Sequence, residues 1–422
     1  MKRRINLVIS LILSGVILLS AVGCREEQID DVPDSSDTQT DTSPSDTNEN
    51  KDNEDEKDNE DEKDNEDDKP VLKKNTYLLT PQTQGIKTLG VRGLQGNDAI
   101  FCDWTGSGFE MNVLHEGGNI SFMASSTAAT YFRAYVDGEE WKNTDGTLYY
   151  KVSGPTANII LNEVPAGEHN VRIVKVTGIT LSSASISKVI FAGTIKEETP
   201  ADSELYVEFV GDSICCGWGT IGSHQGAYSD QDGALAYPYL VADALDADYS
   251  ITALSGQGLL CGDPGIANGY LLASPMRDSS YKYDFARGAD IVVLNIGTND
   301  VGSNVNRDDF QSAYINLINT VRTKNGEDCK IYCLYNVMND TYSEQILAAC
   351  ERLGGEAAGI YTVKLDRTPN GAHPTVAENA EYAAKLTAYI NETKDDEITY
   401  VPKGDCGSGV VFDWSDGLVP AA

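Results

Sequence analysis

Residues Leu205-Tyr206-Val207-Glu208-Phe209-Val210-Gly211-Asp212-Ser213-Ile214 decide how this chain is read. Leu205 to Val210 is a short, mostly apolar run with a strand pattern, and Gly211-Asp212 breaks it, so Ser213 falls where a strand ends. A serine at such a turn is a candidate nucleophile, although most turn serines only bond local backbone groups. Two later stretches raise the odds. Gly297-Thr298-Asn299-Asp300 follows the uninterrupted apolar run Ile291 to Ile296, and His373-Pro374 precedes a helical pattern. Serine, amide donor and histidine therefore come in one order along one segment.

Working outward, strand patterns recur at Tyr249 to Leu254, Ile291 to Ile296, Lys330 to Tyr335 and Ile360 to Leu365. Helical patterns fall between and after them, at Ala234 to Leu245, Asp308 to Thr323, Ser343 to Leu353 and Val376 to Ile390. Such alternation predicts a three-layer, mostly parallel α/β domain over residues 198–395, and the unbroken run at 291–296 marks a strand buried on both faces. In this architecture ligands bind at the carboxyl ends of the strands. Ser213, Gly256, Asn299 and His373 all follow strands.

Residues 76–197 have a different character. Short apolar runs recur at Ala99 to Trp104, Phe109 to Leu114, Ile120 to Met123, Tyr131 to Val136, Leu148 to Val152, Ile159 to Val164, Val171 to Val176 and Ile186 to Phe191, with turn signals such as Asp137-Gly138 and Asp145-Gly146 between them. This predicts an all-β sandwich of about eight strands. A sandwich beside an α/β domain is either a sugar-binding module or a partner that packs on that domain, and the second is favoured. Trp104 and Trp141 are accordingly expected in packing rather than as sugar platforms.

The chain has 422 residues and a formal net charge of -33, yet residues 25–70 alone hold 21 acids and 5 bases. Met1-Lys2-Arg3-Arg4, the apolar run Ile5 to Ala21 and Gly23-Cys24 form a secretory signal resembling that of bacterial lipoproteins, with Cys24 as the lipidated mature N-terminus. A plain membrane anchor is the alternative, and both readings place the rest outside the cytoplasm. Residues 24–75 carry the repeat Lys51-Asp52-Asn53-Glu54-Asp55-Glu56 and lack apolar periodicity, which predicts a disordered, extended tether. No basic patch supports nucleic-acid binding. The tail, 396–422, either adds an edge strand or exposes Trp414.

Acyl transfer needs a nucleophile, a base and donors for the negative charge on the carbonyl oxygen. Ser213 fits the first role and His373 the second. The N–H groups of Ser213 and Gly256, with the Asn299 amide, fit the third. Asp212 and Asp300 are expected to bond loop backbone. Trp218 and Tyr228, on the loop after Ser213, are candidate sugar-stacking residues, and His224 is a weaker one. Nine cysteines in an exported chain permit disulfides, but none is assigned, and no Cys or His cluster suggests zinc. The chemistry needs no cofactor.

Gly211-Asp212-Ser213-Ile214, Ser255-Gly256, Gly297-Thr298-Asn299-Asp300 and His373-Pro374 resemble the four sequence blocks of the SGNH (GDSL-type) hydrolase superfamily. The preceding sandwich and the Ser255-Gly256-Gln257-Gly258-Leu259 version of the second block resemble carbohydrate esterase family 2. The resemblance spans about residues 76 to 395. It implies a jelly roll packed on an SGNH domain that removes O-acetyl groups from plant polysaccharides such as xylan and mannan; a monomer is expected. No Gly-x-Ser-x-Gly elbow is present, which argues against an ordinary α/β-hydrolase lipase. One position departs from the superfamily pattern: Asn370 stands three residues before His373, where an orienting Asp is usual. Family 2 includes Ser-His dyads, so the Asn370 backbone carbonyl is a candidate to orient the histidine. The alternatives are a glycan-binding protein with a weakened site and an SGNH esterase acting on peptidoglycan acetyl groups or lipid.

Overall fold

The computed structural model describes residues 72–90, 96–222 and 230–399. Cys24, the acidic tether, His224, Tyr228 and the tail beyond 399 lie outside the described residues.

Ten strands form the first half: β1 (Asn75–Leu78), β2 (Ile86–Leu89), β3 (Ile100–Cys102), β4 (Gly108–His115), β5 (Gly118–Val136), β6 (Glu139–Glu140), β7 (Tyr150–Val164), β8 (Gly167–Lys175), β9 (Ala184–Phe191) and β10 (Gly193–Ile195). All their pairings are antiparallel, with β9-β5-β8-β4 at the centre. Alternate residues such as Phe109, Met111 and Val113, or Ile159 and Leu161, turn inward to one apolar core. Two differences from the sequence reading share one cause. The runs at 120–123 and 131–136 belong to the single strand β5, and those at 148–152 and 159–164 fall largely in β7. The polar residues between them pair with each other through register shifts, at Ser126 with Gly154 and Thr130 with Val152, instead of forming turns.

The second half is a five-stranded parallel sheet in the order β12-β11-β15-β16-β17, built from β11 (Tyr206–Gly211), β12 (Asp248–Ala253), β15 (Ile291–Asn295), β16 (Lys330–Tyr335) and β17 (Ile360–Lys364). Successive strand residues face opposite layers. Val207, Phe209, Val293 and Leu334 meet α1 (Tyr237–Ala244) and α6 (Val376–Thr393). Val210, Val292, Leu294 and Cys333 meet α4 (Arg307–Asn325) and α5 (Ser343–Arg352). Burial on both faces is why the central strand β15 is nearly all apolar. The one buried acid of β11, Glu208, accepts hydrogen bonds from the Ser250 and Tyr270 hydroxyls inside the sheet layer. Between β12 and β15 the chain adds the short helix α2 (Gly265–Gly269) and the hairpin β13 (Leu272–Ser274) and β14 (Asp278–Lys282), neither of which the sequence pattern signalled.

The β unit packs on the α/β domain through buried polar and aromatic groups. Trp104 is fully buried in the α/β core cluster and donates its Nε1–H to the Ala273 carbonyl at 2.7 Å, and Asp103 takes a bidentate bond from Arg277 on the hairpin. Arg133 pairs with Asp232 at 2.6 Å, and the Tyr149 hydroxyl donates to the same carboxylate at 2.8 Å. Gly233 N–H donates to the Val176 carbonyl. The β unit therefore braces the end of the loop that begins at Ser213. Trp141 also packs on the core of the β unit and donates to the Asn162 carbonyl, as its packing reading expects. Among the described residues no helix is long and apolar enough to cross a membrane.

Candidate active site

β11 lies between β12 and β15, so the chain leaves it in opposite directions at this point of the sheet. A crevice opens outside the carboxyl ends at such a switch point. Gly211 ends β11 because nothing larger fits: a Cβ there would stand 2.2 Å from Cys215 Sγ and 2.9 Å from the Asn295 carbonyl oxygen. The chain then turns tightly, with Cys216 N–H donating to the Asp212 carbonyl and Trp218 N–H to the Ser213 carbonyl. Cys215 and Cys216 are buried in this turn, and burial pushes the Cys216 thiol up to about 12 and Cys215 well above its usual value. Raised thiols of this kind are poor nucleophiles, which leaves Ser213 as the candidate nucleophile of the turn.

Ser213 Oγ lies 2.8 Å from His373 Nε2. His373 reaches it from the loop after β17, and that loop is fixed at both sides. Thr368 Oγ1 donates to the Ala372 carbonyl on one side. On the other, Thr375, two residues after the histidine, and Glu378 form the capping box that starts α6. Asn379, on α6, donates to the Pro374 carbonyl and accepts from Tyr237 N–H, tying the histidine loop to α1. A hydrogen-bonded Ser Oγ and imidazole is the arrangement that lets a weak nucleophile lose its proton as it attacks.

The remaining strand ends converge on the same place. Asn299 opens the short helix α3 (Thr298–Gly302) after β15. Its Nδ2 donates to Asp212 Oδ2 at 3.1 Å and to the Gln257 carbonyl at 2.9 Å, which joins the turns after β11, β12 and β15. Gly256 adopts φ +78° in the turn closed by Gln257 N–H to the Leu254 carbonyl, a backbone conformation that favours glycine. Asp300 accepts from the N–H groups of Leu259 and Leu260, both at 2.8 Å, and so anchors the loop that carries Gly256. Asp300 thus bonds backbone, as expected. Asp212 bonds the backbone N–H of Ile214 and also, beyond expectation, the Asn299 side chain. Burial raises the Asp212 carboxyl to about 7, against the opposing Ile214 N–H bond and with further upward pressure from Asp300. The Asp300 carboxyl is likewise raised by burial, and its two backbone bonds counter this.

Asn370 sits in a left-handed turn (φ 55°), which asparagine tolerates, and its side chain is exposed. Trp218 is half-buried and packs on the core beneath the nucleophile turn. The positioning roles of Tyr237, Gln257 and Asn379 were missed from sequence. Nothing distinguishes a backbone carbonyl or a helix asparagine in one sequence as part of a site.

A serine bonded to an imidazole, set at the switch point of a 2-1-3-4-5 parallel sheet beside a strand-end asparagine, is the arrangement of an SGNH-type hydrolase domain. Residues 209–409 match the model of the GDSL-like lipase/acylhydrolase family. The chain is 27% identical over 314 residues to the cellulase/esterase CelE of Acetivibrio thermocellus, covering 68% of this chain but only 37% of that protein. It is 21% identical over 312 residues to an acetylxylan esterase / glucomannan deacetylase of Cellvibrio japonicus, covering 64% of this chain and 85% of that one. A solved family two carbohydrate esterase from Clostridium thermocellum, in complex with cellohexaose, superposes with a TM-score of 0.66 at 26% identity, covering 73% of this chain and 98% of the other. The chain is thus similar to the GDSL-type hydrolases and, within them, to the family two carbohydrate esterases.

Proposed function

We propose that this chain is a serine esterase that removes O-acetyl groups from plant polysaccharides of the xylan or mannan type. The single observation that carries the mechanism is the 2.8 Å approach of His373 Nε2 to Ser213 Oγ. In this reading Ser213 Oγ attacks the acetyl carbonyl while His373 takes its proton. The oxyanion is met by the N–H groups of Ser213 and Gly256 and by Asn299 Nδ2, whose hydrogen on the Gln257 carbonyl turns to it. His373 then protonates the departing sugar hydroxyl, and water hydrolyses the acetyl-enzyme with the histidine again as base. The Asn370 carbonyl takes the place of the usual orienting Asp, so the site works as a Ser-His dyad. Support for the substrate class comes from the relatives, one of which is an acetylxylan esterase / glucomannan deacetylase.

The proposal extends to the setting. A lipid on Cys24 and the acidic tether of residues 24–75 would hold a monomeric enzyme at the outer face of a bacterial membrane. The β unit is read as a jelly roll that braces the site, with Trp218 and Tyr228 stacking on sugar. Glycan binding without turnover is the second reading, favoured by Asn370 at the position of the orienting acid.

Acetate release from 4-nitrophenyl acetate and acetylated xylan, compared with Ser213→Ala, tests the proposal. Release that vanishes in the variant supports it. A wild-type chain that retards on soluble glycan in a gel yet releases no acetate refutes the esterase reading in favour of binding alone.

A further inference from the structure

Asp212 is 1% exposed, directly beside the nucleophile, and each of its oxygens accepts a different bond. Oδ1 accepts from Ile214 N–H at 3.0 Å within its own turn, and Oδ2 accepts from Asn299 Nδ2 at 3.1 Å across the sheet. The second acceptor on Asn299 Nδ2, the Gln257 carbonyl, stands on the loop that Asp300 anchors through Leu259 and Leu260. This matters because a side-chain amide has two ends of nearly equal shape, one a donor and one an acceptor. An oxyanion is stabilised only by the donor end, and with one Nδ2 hydrogen held by Asp212 the other, which lies on the Gln257 carbonyl in the free site, is the one that can turn to it.

A carboxylate accepts at both oxygens. Asparagine has the same shape but carries a donor at one of the two positions. At 212 that donor would meet either Ile214 N–H or Asn299 Nδ2, and the Asn299 amide would relieve the second clash by turning its Oδ1 toward residue 212. We propose that Asp212 is a positioning residue for ester hydrolysis that acts through Asn299, fixing the donor end of the amide by accepting at both of its own oxygens. The inference rests on the reading of Asn299 as an oxyanion donor. Asp212 touches neither substrate nor the transferred proton in this role.

Steady-state kinetics on 4-nitrophenyl acetate at pH 8, above the value of about 7 to which burial raises the Asp212 carboxyl, test it, with every variant assayed at a temperature where circular dichroism shows it folded. Asn299→Ala should lower kcat by about 10²- to 10³-fold, the loss expected for one oxyanion donor. Asp212→Asn should lower kcat by about 10²-fold with KM changed by no more than about twofold, because the lost interaction belongs to the transition state. Asp212→Ser keeps an acceptor for Ile214 N–H but is too short to reach Asn299, so it should be as slow as Asp212→Asn. The double variant Asp212→Asn/Asn299→Ala should be no slower than Asn299→Ala alone.

Wild-type kcat in Asp212→Asn, recovery of rate by Asp212→Ser, or losses that multiply in the double variant would each overturn the inference. Recovery by serine would show that Asp212 only caps its own turn. Full activity in Asn299→Ala would overturn the oxyanion role of Asn299 and this inference with it. A slow Asn299→Ala beside a fast Asp212→Asn would remove the inference alone.

Discussion

His373 Nε2 and Ser213 Oγ, 160 residues apart in the chain, lie 2.8 Å from each other. One comes from the turn after a central strand and the other from the loop after an edge strand, so the pair exists only in the folded sheet. Because the two act as one unit, Ser213→Ala and His373→Ala should each lower kcat on 4-nitrophenyl acetate by at least about 10³-fold, and the double variant should be little worse than either. Spectrophotometric assay of the three proteins checks this. Losses that multiply would mean that the two side chains work separately.

Asn370 occupies the place of an orienting acid, in a left-handed turn that aspartate also adopts. Asn370→Asp should therefore fold normally and hold kcat/KM within about tenfold of the parent, since such an acid tunes the imidazole without building the oxyanion site. Loss of all activity in this variant would contradict an open acid position beside a working dyad.

Much of this fold is legible in sequence because a central parallel strand buried on both faces must be nearly all apolar. The runs at 291–296 and 330–335 and the helical spacing at 376–390 fall on β15, β16 and α6. Burial on one face is harder to read. In β5 and β7 the polar residues Ser125, Ser126 and Ser153 interrupt the apolar pattern without ending the strand, because a sheet edge and a register shift accommodate them. The β13–β14 hairpin has no apolar alternation, since β14 is wholly exposed and Asp103 of the β unit holds the hairpin through Arg277. The site shows the same division. Ser213 and His373 stand out because their side chains carry the chemistry, whereas the bond from Asn299 to Asp212 depends on a meeting of two strand ends that no local pattern encodes.

Asp212 also affects how stability depends on pH. Burial raises its carboxyl from the usual 3.8 to about 7, so between those values the folded chain holds a proton that the unfolded chain has released. Stability contributed by this group is therefore present in acid and lost as pH rises toward 7 and above. Asp212→Asn removes that dependence. Denaturant titrations should show the variant gaining stability relative to the parent between pH 4.5 and 8, by up to roughly 4 kcal/mol. A relative loss over that range would reverse the assigned direction.

Arg133 and Asp232 are both buried where the β unit meets the α/β domain, and their 2.6 Å pair is shared with the Tyr149 hydroxyl. Breaking one side of such a pair leaves the other charge without its partner in a dry place. Arg133→Ala should cost about 3–5 kcal/mol of unfolding free energy, read from chemical denaturation. A surface ion pair would cost no more than about 1 kcal/mol. A value in that lower range would show that the contact contributes little to bracing the nucleophile loop.

The most direct test of the esterase reading is to trap the covalent intermediate. Chain mixed with 4-nitrophenyl acetate and quenched in acid within the first turnover should carry one acetyl group, located by peptide mass spectrometry on Ser213 and absent from Ser213→Ala. Turnover without an acetylated Ser213, or with the acetyl group on another residue, would contradict the mechanism.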